Sequence, residues 1–204
     1  MNTYGQNRED EIISQYFTDP GTLLSIGEND GQTLSNALAF IEIGWSAYLI
    51  EPSPTVFPKL TARHKDNIHV QCFQVAISDI AKELTFYESG SASKGEDRAL
   101  VSSLLPSEIL KWKRAGVVFK PIKVQSITWN AFVALHDIDR LDYITIDAEG
   151  FDLKILRQIN FDQHQTKVVC VEWNSINKHS YVSVMNKYGF NMAHQNAENL
   201  IFVR

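Results

Sequence analysis

The chain of 204 residues has little of several things that would assign a protein to a broad class. It has only two cysteines, Cys72 and Cys170, each inside an apolar run, so we expect free thiols in a reducing cytoplasm. It has no apolar run long enough to span a membrane, and its first ten residues are too polar and acidic for a secretory signal. It has no basic excess, because 24 Asp and Glu outnumber 19 Lys and Arg, which argues against a dedicated nucleic-acid binder.

Apolar residues, by contrast, are plentiful. They make up 44% of the chain, with 4 Trp, 7 Tyr and 11 Phe among them, which is enough for a sizeable core. The length favours one domain over residues 1–204, with an N-terminal helical extension at 1–20 and a variable loop or lid region at 89–120. The basic cluster at 111–123 could face an anionic substrate, but we interpret it as a solvated surface.

Short apolar runs alternate with patterns typical of helices. We predict strands at 22–26, 47–50, 68–77, 83–88, 119–124, 142–146 and 168–172, and helices at 9–17, 34–41, 55–64, 104–113, 127–136, 151–159 and 181–188. Residues 89–98 are polar and are expected to form an exposed loop. The last two runs, 190–194 and 200–203, have no helix between them and must form an antiparallel hairpin. The alternation predicts an α/β fold, with a mostly parallel sheet and helices on both faces.

In open sheets of this kind, ligands bind at the carboxyl ends of the strands. The segments that follow the predicted strands are rich in polar and acidic residues, and they are 27–31, 51–52, 76–79, 147–150 and 172–174. Folding alone does not explain this clustering. We therefore place the candidate site at this edge of the sheet.

The first of these segments is Gly27-Glu28-Asn29-Asp30-Gly31. Glycines at its two ends let the backbone turn tightly and let a ligand approach. Glu51 ends the second strand, 24 residues after Gly27, and an acid near that spacing usually accepts hydrogen bonds from both hydroxyls of a ribose. Together, the loop and Glu51 indicate a cofactor that contains adenosine.

The same loop excludes other cofactors. Asn29 stands where a Gly-x-Gly-x-x-Gly motif needs glycine, and no Gly-Lys-Ser/Thr follows, so a P-loop is excluded. Glu28 and Asp30 would repel a pyrophosphate, which disfavours NAD and FAD. S-adenosylmethionine carries no phosphate and has a positive sulfonium, so an acidic loop suits it better.

Methyl transfer needs an aligned acceptor and a group that removes the acceptor's proton. Asp147 and Glu149 would share a face of one extended segment, and either could be the base; Glu149 could instead cap the next helix. Glu172 ends the next strand, and with Asp147 and Asn174 it could offer oxygen ligands to Mg²⁺, although we expect no metal. His179 is a further candidate base, with a surface histidine as the alternative.

Several stretches of the sequence resemble the FkbM-type S-adenosylmethionine-dependent methyltransferases. The matching stretches are 4–13, 25–31, 44–45, 49–54, 75–79, 144–151 and 201–203, in chain order. The resemblance covers nearly the whole chain, is weakest at 89–120, and is most specific at Ile146-Asp147-Ala148-Glu149-Gly150. It implies the Rossmann-like fold of class I methyltransferases, with a seven-stranded sheet.

The resemblance also implies a function and a set of site residues. The function is O-methylation of a hydroxyl on a sugar, a glycan or a secondary metabolite, with S-adenosylmethionine as the cofactor. The implied cofactor-binding residues are Gly27, Asn29, Gly31 and Glu51, with Ala76 and Ile77 beside the adenine and Asp147 near the methionine end. Ser25 departs from the family, which usually carries an acid there to hold the methionine part, so Glu28 or Asp30 are candidates to replace it.

Two other functions stay open at this point. One is a nicotinamide-dependent oxidoreductase, which the acidic loop disfavours. The other is a non-catalytic module that binds the cofactor without turnover, for which Ser25 is the argument. The sequence does not distinguish among sugar, lipid-linked glycan, polyketide and peptide acceptors, and it does not indicate an oligomeric state.

Overall fold

A computed structural model describes residues 1–92, 100–174 and 177–204. Within these ranges the elements are α1 (Glu9–Ser14), β1 (Thr22–Ile26), α2 (Leu38–Glu42), β2 (Ser46–Ile50), α3 (Phe57–His64), β3 (Val70–Phe73), β4 (Ala76–Ile77), β5 (Glu83–Ala92), α4 (Pro106–Arg114), β6 (Val117–Ile127), α5 (Trp129–Leu135), β7 (Tyr143–Ile146), α6 (Asp152–Leu156), β8 (Val168–Glu172), α7 (Lys178–Asn186), β9 (Asn191–Gln195) and β10 (Asn199–Val203).

The main sheet has seven strands in the order β3-β2-β1-β7-β8-β10-β9. The pairs from β3 to β8 are parallel, whereas β10 runs antiparallel to both β8 and β9. This confirms the predicted Rossmann-like α/β fold with a C-terminal antiparallel hairpin. The chain winds outward from β1 in one direction and from β7 in the other, so the order reverses between these two strands, which is where such sheets bind ligands.

Alternate residues of the central strands bury against the two faces of the sheet. Leu23 of β1 packs on one face with Phe40 and Leu60, whereas Leu24 packs on the other face with Phe132 and Ile155. Fully burying a side chain of this size contributes about 1.5–3 kcal/mol. Burial on both faces explains why the strands β7 and β8 consist almost entirely of apolar residues.

A second, three-stranded sheet of order β4-β6-β5 lies between β3 and β7 in the chain. The predicted single strand at 68–77 is therefore wrong, because β3 joins the main sheet and β4 pairs with β6 instead. The loop expected at 89–98 is wrong in its first part, since β5 continues to Ala92; residues 93–99 lie outside the described part of the chain.

The helix α2 begins later than the apolar pattern at 34–41 predicts. Leu34 has a left-handed φ of +57°, which no α-helix accommodates. The hydroxyl of Ser35 accepts hydrogen bonds from the backbone N–H groups of Ala37 and Leu38 at 3.1 and 2.9 Å. Ser35 thus caps the first turn, and the regular helix begins at Leu38.

The N-terminal helix α1 is tied to the C-terminal hairpin. Its Glu9 is fully buried and accepts hydrogen bonds from the side chains of Asn196 and Asn199 at 2.7 and 2.9 Å. Ile13 packs into the core, and Phe17 meets Trp45 edge-on with ring centroids 4.7 Å apart. The segment before α1 contacts the same hairpin, because the side-chain amide of Asn7 donates to the Glu198 carboxylate at 2.9 Å.

The helices in the described ranges include none with the length and hydropathy of a transmembrane segment. Cys72 and Cys170 are both free thiols, as predicted.

Candidate active site

A cavity of about 390 Å³ opens at the carboxyl ends of β1, β2, β7 and β8. It lies at the reversal of strand order, where the sequence predicted the site. Nine of the predicted site residues line it: Gly27, Glu28, Asn29, Glu51, Ala76, Ile77, Asp147, Glu149 and Glu172. Its volume falls within the range of cavities that bind small molecules and cofactors.

Gly27 lets the ends of three strands meet. Its φ is +82°, and a Cβ atom there would lie 1.8 Å from the carbonyl oxygen of Asp147. The N–H groups of Gly27 and Glu28 both donate to the carbonyl oxygen of Ile50, at 2.9 and 3.1 Å. Because no side chain fits, glycine is required here for the loops after β1 and β7 to touch.

Glu51 is buried, with 6% of its surface exposed, and it ties the first loop to β2. Its Oε2 accepts a hydrogen bond from the N–H of Asn29 at 3.0 Å, and its Oε1 accepts one from the N–H of Ser53 at 2.7 Å. Burial raises the pKa of Glu51 to about 7, although these hydrogen bonds oppose the rise. Each carboxylate oxygen has two lone pairs, so both can still accept a hydroxyl of a ribose.

Glu28 lies beside Ser25, the position at which the sequence departs from the family. The Ser25 hydroxyl hydrogen-bonds to the Glu28 carboxylate, and the Ser35 hydroxyl donates to its Oε1 at 2.6 Å. Burial raises the pKa of Glu28 to about 7, with only 4% of the residue exposed. Glu28 therefore brings a carboxylate next to the serine.

Three predicted site residues do not line the cavity. The Asp30 carboxylate accepts hydrogen bonds from the N–H groups of Gln32 and Thr33 at 2.9 and 2.7 Å, so it stabilises the turn of its own loop. Gly31, with a φ of +75°, packs against α3. His179 is exposed on α7.

Asp147, Glu149 and Glu172 form an acidic trio on the floor of the cavity. One oxygen from each lies within 4.8 Å of the other two. Burial raises the pKa of all three. The negative charges of Asp152 and Glu28 raise the pKa of Asp147 further, and those of Asp147 and Asp152 do the same for Glu149 and Glu172. The side chain of Asp147 is exposed to the cavity, and this exposure weakens the effect of burial on its pKa.

The loop that carries Glu149 is held from both sides. Glu149 has a left-handed φ of +47°, an uncommon conformation for glutamate. The carboxylate of Asp152 accepts hydrogen bonds from the N–H groups of Ala148 and Gly150 at 2.7 and 2.8 Å, and the Ser103 hydroxyl donates to the Glu149 carbonyl oxygen at 2.7 Å. Asp152 thus stabilises the start of α6, and the alternative role of Glu149 as a helix cap is wrong.

One wall of the cavity is formed by the second sheet and α4. Phe86, Leu104, Trp112 and Lys111 line it, together with residues 100–102. The prediction that the basic cluster is only a solvated surface is therefore wrong for Lys111. Gln6 from the N-terminal segment lines the cavity as well. Apolar spacing could not indicate these residues, because their position depends on how an irregular segment folds back over the main sheet.

Comparison with known proteins identifies the family. The family model described as "Methyltransferase FkbM domain" matches residues 25–192. The chain is similar to methyltransferase FkbM from Methylobacillus flagellatus KT, with a TM-score of 0.55 and 11% identity; the match covers 92% of this chain and 44% of that one. It is also similar to ribosomal protein L11 methylase from Lactobacillus delbrueckii subsp. bulgaricus, with a TM-score of 0.51 and 11% identity, covering 97% and 78% of the two chains. No curated protein is detectably similar in sequence.

These structural similarities support the fold, and the family match supports the chemistry. The chain spans less than half the length of the Methylobacillus flagellatus protein. The cavity fits the cofactor of the family, because Glu51 can accept ribose hydroxyls and the surrounding carboxylates suit a sulfonium. The chain therefore belongs to the FkbM family of methyltransferases, whose methyl donor is S-adenosylmethionine.

Proposed function

We propose that this protein methylates a hydroxyl group of a sugar, a glycan or a secondary metabolite. The observation that carries the proposal is the acidic trio, which lies in the same cavity as Glu51. O-methylation needs a base that removes the hydroxyl proton, and a carboxylate beside the acceptor can do this. Bound S-adenosylmethionine supplies an electrophilic methyl group, so the protein's remaining task is to align the acceptor and take its proton.

Asp147 is the proposed base. It is the member of the trio that is open to the cavity, whereas Glu149 and Glu172 are 9% and 7% exposed. The proton of the acceptor hydroxyl would pass to a carboxylate oxygen of Asp147 as the new oxygen–methyl bond forms. Glu149 and Glu172 would orient the acceptor. His179 is left out of this set because it is exposed on α7.

The proposed cofactor contacts follow the walls of the cavity. Glu51 would accept the ribose hydroxyls, and Ala76 with Ile77 would cover the adenine, since both are buried and line the cavity. Glu28, with its neighbour Ser25, would bind the amino group of the methionine part. Gly27 and Asn29 would let the cofactor approach the backbone.

The distribution of charge supports this assignment over the nicotinamide alternative. Glu28, Glu51 and the acidic trio surround the cavity, and Lys111 is the basic side chain among the described lining residues. A pyrophosphate would be repelled here, whereas a sulfonium would be attracted.

We also propose that residues 1–204 form one domain and that the 89–120 region selects the acceptor. The support for selection is that Trp112, Leu104 and residues 100–102 line the same cavity as the acidic trio. The free thiols of Cys72 and Cys170 fit a reducing compartment, and we propose the cytoplasm.

Two measurements test the function. Calorimetry with S-adenosylhomocysteine should show binding that is weakened by Glu51→Gln. Binding should be unchanged by Glu83→Gln, which changes an exposed glutamate of β5. Transfer of labelled methyl from S-adenosylmethionine to a panel of hydroxyl compounds should fall by about 10²-fold or more in Asp147→Asn while cofactor binding persists. Cofactor binding without transfer to any hydroxyl acceptor would contradict O-methylation, and tight NADH binding would favour the oxidoreductase.

A further inference from the structure

The acidic trio has a use beyond proton removal. We propose that Asp147, Glu149 and Glu172 together bind one hard divalent cation, such as Mg²⁺ or Mn²⁺. Each residue offers a carboxylate oxygen, and the three oxygens lie within 4.8 Å of one another. The sequence suggested a different oxygen set, with Asn174 in place of Glu149, and led us to expect no metal.

Two atoms of the trio give independent support. Oε2 of Glu149 and Oε2 of Glu172 are buried, and neither has a hydrogen-bond partner among the described residues. Only 9% of the surface of Glu149 and 7% of that of Glu172 is exposed, so both residues are more than nine-tenths buried. A buried acceptor without a partner has lost its hydrogen bonds to water without replacement, and a charged group loses more, so two of them on one cavity floor indicate a ligand.

The protein itself does not neutralise the trio. Within the described part of the chain, no Lys or Arg forms an ion pair with any of the three carboxylates. The charge of Lys111 acts on Glu149 and opposes the rise in its pKa, but the Nζ of Lys111 lies 3.4 Å from Oε2 of Glu108 and its side chain is half exposed. Asn174 hydrogen-bonds to the Glu172 carboxylate, so it helps to orient one of the three proposed ligands.

The donor set indicates the kind of ion. All three ligands are carboxylates, which Mg²⁺, Mn²⁺ and Ca²⁺ prefer, and neither a thiol nor an imidazole belongs to the set. Oxygens on opposite sides of Mg²⁺ lie about 4.2 Å apart, so small side-chain rotations would bring the trio into its coordination sphere. Asp147 opens to the cavity, which leaves the remaining positions to water or to an oxygen of the acceptor.

The role of the cation, though not its binding, rests on the proposed function. An ion on this floor would offset the repulsion among three negative charges. It would also hold an acceptor oxygen at the carboxyl ends of β7 and β8, beside the carboxylate that takes the proton. An acceptor with two neighbouring hydroxyls, such as a sugar diol, fits such an ion best, because both oxygens can coordinate it.

Mn²⁺ is the probe for this site, because electron paramagnetic resonance measures the free ion directly. Titration of the whole chain should show one bound Mn²⁺ per chain, displaced by Mg²⁺. Glu149→Gln and Glu172→Gln should each weaken binding by about tenfold or more, since even indirect partners of a metal contribute that much. Glu83→Gln, which changes an exposed glutamate outside the cavity, should bind as the wild type does.

The results separate the metal site from the proposed function. Equal Mn²⁺ binding by the wild type and the Glu149→Gln, Glu172→Gln double variant would overturn the inference, and so would a wild type that binds no Mn²⁺. Thermal melting shows whether the variants are folded, and we expect them to be, because glutamine removes charge repulsion. Binding of S-adenosylhomocysteine in the presence of EDTA is measured in parallel, so a failed metal site is not mistaken for a failed cofactor site.

Discussion

The buried carboxylate of Glu28 should lower the stability of the folded protein and strengthen cofactor binding, and Glu28→Gln measures both effects. Burial raises the pKa of this carboxyl from 4.5 to about 7, so the folded protein binds the proton more tightly than the unfolded chain does. The resulting stability is present in full below pH 4.5 and is lost as the pH rises through about 7. A pKa shift of this size changes the free energy of unfolding by at most about 3 kcal/mol.

Glutamine suits the comparison because it keeps the local hydrogen bond. Its amide oxygen can still accept from the Ser35 hydroxyl, which now donates to Oε1 of Glu28 at 2.6 Å. At pH 8 the variant should therefore be more stable than the wild type by up to about 3 kcal/mol, a rise of about 6–12 °C in Tm for a chain of this size. At pH 5 the difference should fall to below about 1 kcal/mol, because the folded carboxyl is then protonated whereas the unfolded one is still partly ionised.

Chemical denaturation at pH 5, 6, 7 and 8 measures the free energy of unfolding of both proteins. Since the other carboxylates titrate in both proteins, the difference between them reports on Glu28 and on its repulsion of Glu51 and Asp147. Calorimetry with S-adenosylhomocysteine should show the opposite change, because the variant loses a charge that attracts the cofactor's amino group. A Glu28→Gln protein no more stable at pH 8 than Glu83→Gln, or a difference that does not vary with pH, would refute the reasoning.

Two further substitutions test the geometry of the site. Gly27→Ala should unfold the protein or abolish cofactor binding, because the new Cβ would lie 1.8 Å from the carbonyl oxygen of Asp147. Gly189→Ala is the control, since Gly189 has a similar φ of +76° but free space around it. The melting curve of that variant shows the cost of the backbone conformation alone. Ser103→Ala should cost about 1–3 kcal/mol of stability by removing the hydrogen bond to the carbonyl oxygen of Glu149. It should also lower kcat more than cofactor affinity, and equal losses in both would contradict a role in positioning that loop.

The predictable part of the site follows from its regular frame. Apolar runs mark β1, β2, β7 and β8, and parallel strands bring their carboxyl ends to one edge. Polar residues directly after those runs therefore had to lie close together, and Gly27, Glu51, Asp147 and Glu172 do so. This reasoning needs only the order of the strands.

The rest could not be predicted, because it depends on contacts between distant segments. Lys111 and Trp112 reach the cavity only because the second sheet and α4 form one of its walls. Asp30 and Glu149 are both carboxylic acids, and they lie four and three residues after the end of a strand. The Asp30 carboxylate accepts a hydrogen bond from the N–H of Thr33 in its own loop, whereas Oε2 of Glu149 has no hydrogen-bond partner among the described residues.

The sequence by itself determined the class of the fold, the positions along the chain of the strands that carry the site, and the acidic character of the loops. These follow from local patterns, in which each residue is interpreted with its near neighbours. The tertiary structure alone decided which carboxylates share a cavity and which stay without partners. That decision depends on distances between atoms far apart in the chain, and on burial, which sets whether a carboxylate stabilises the fold or is held ready for a ligand.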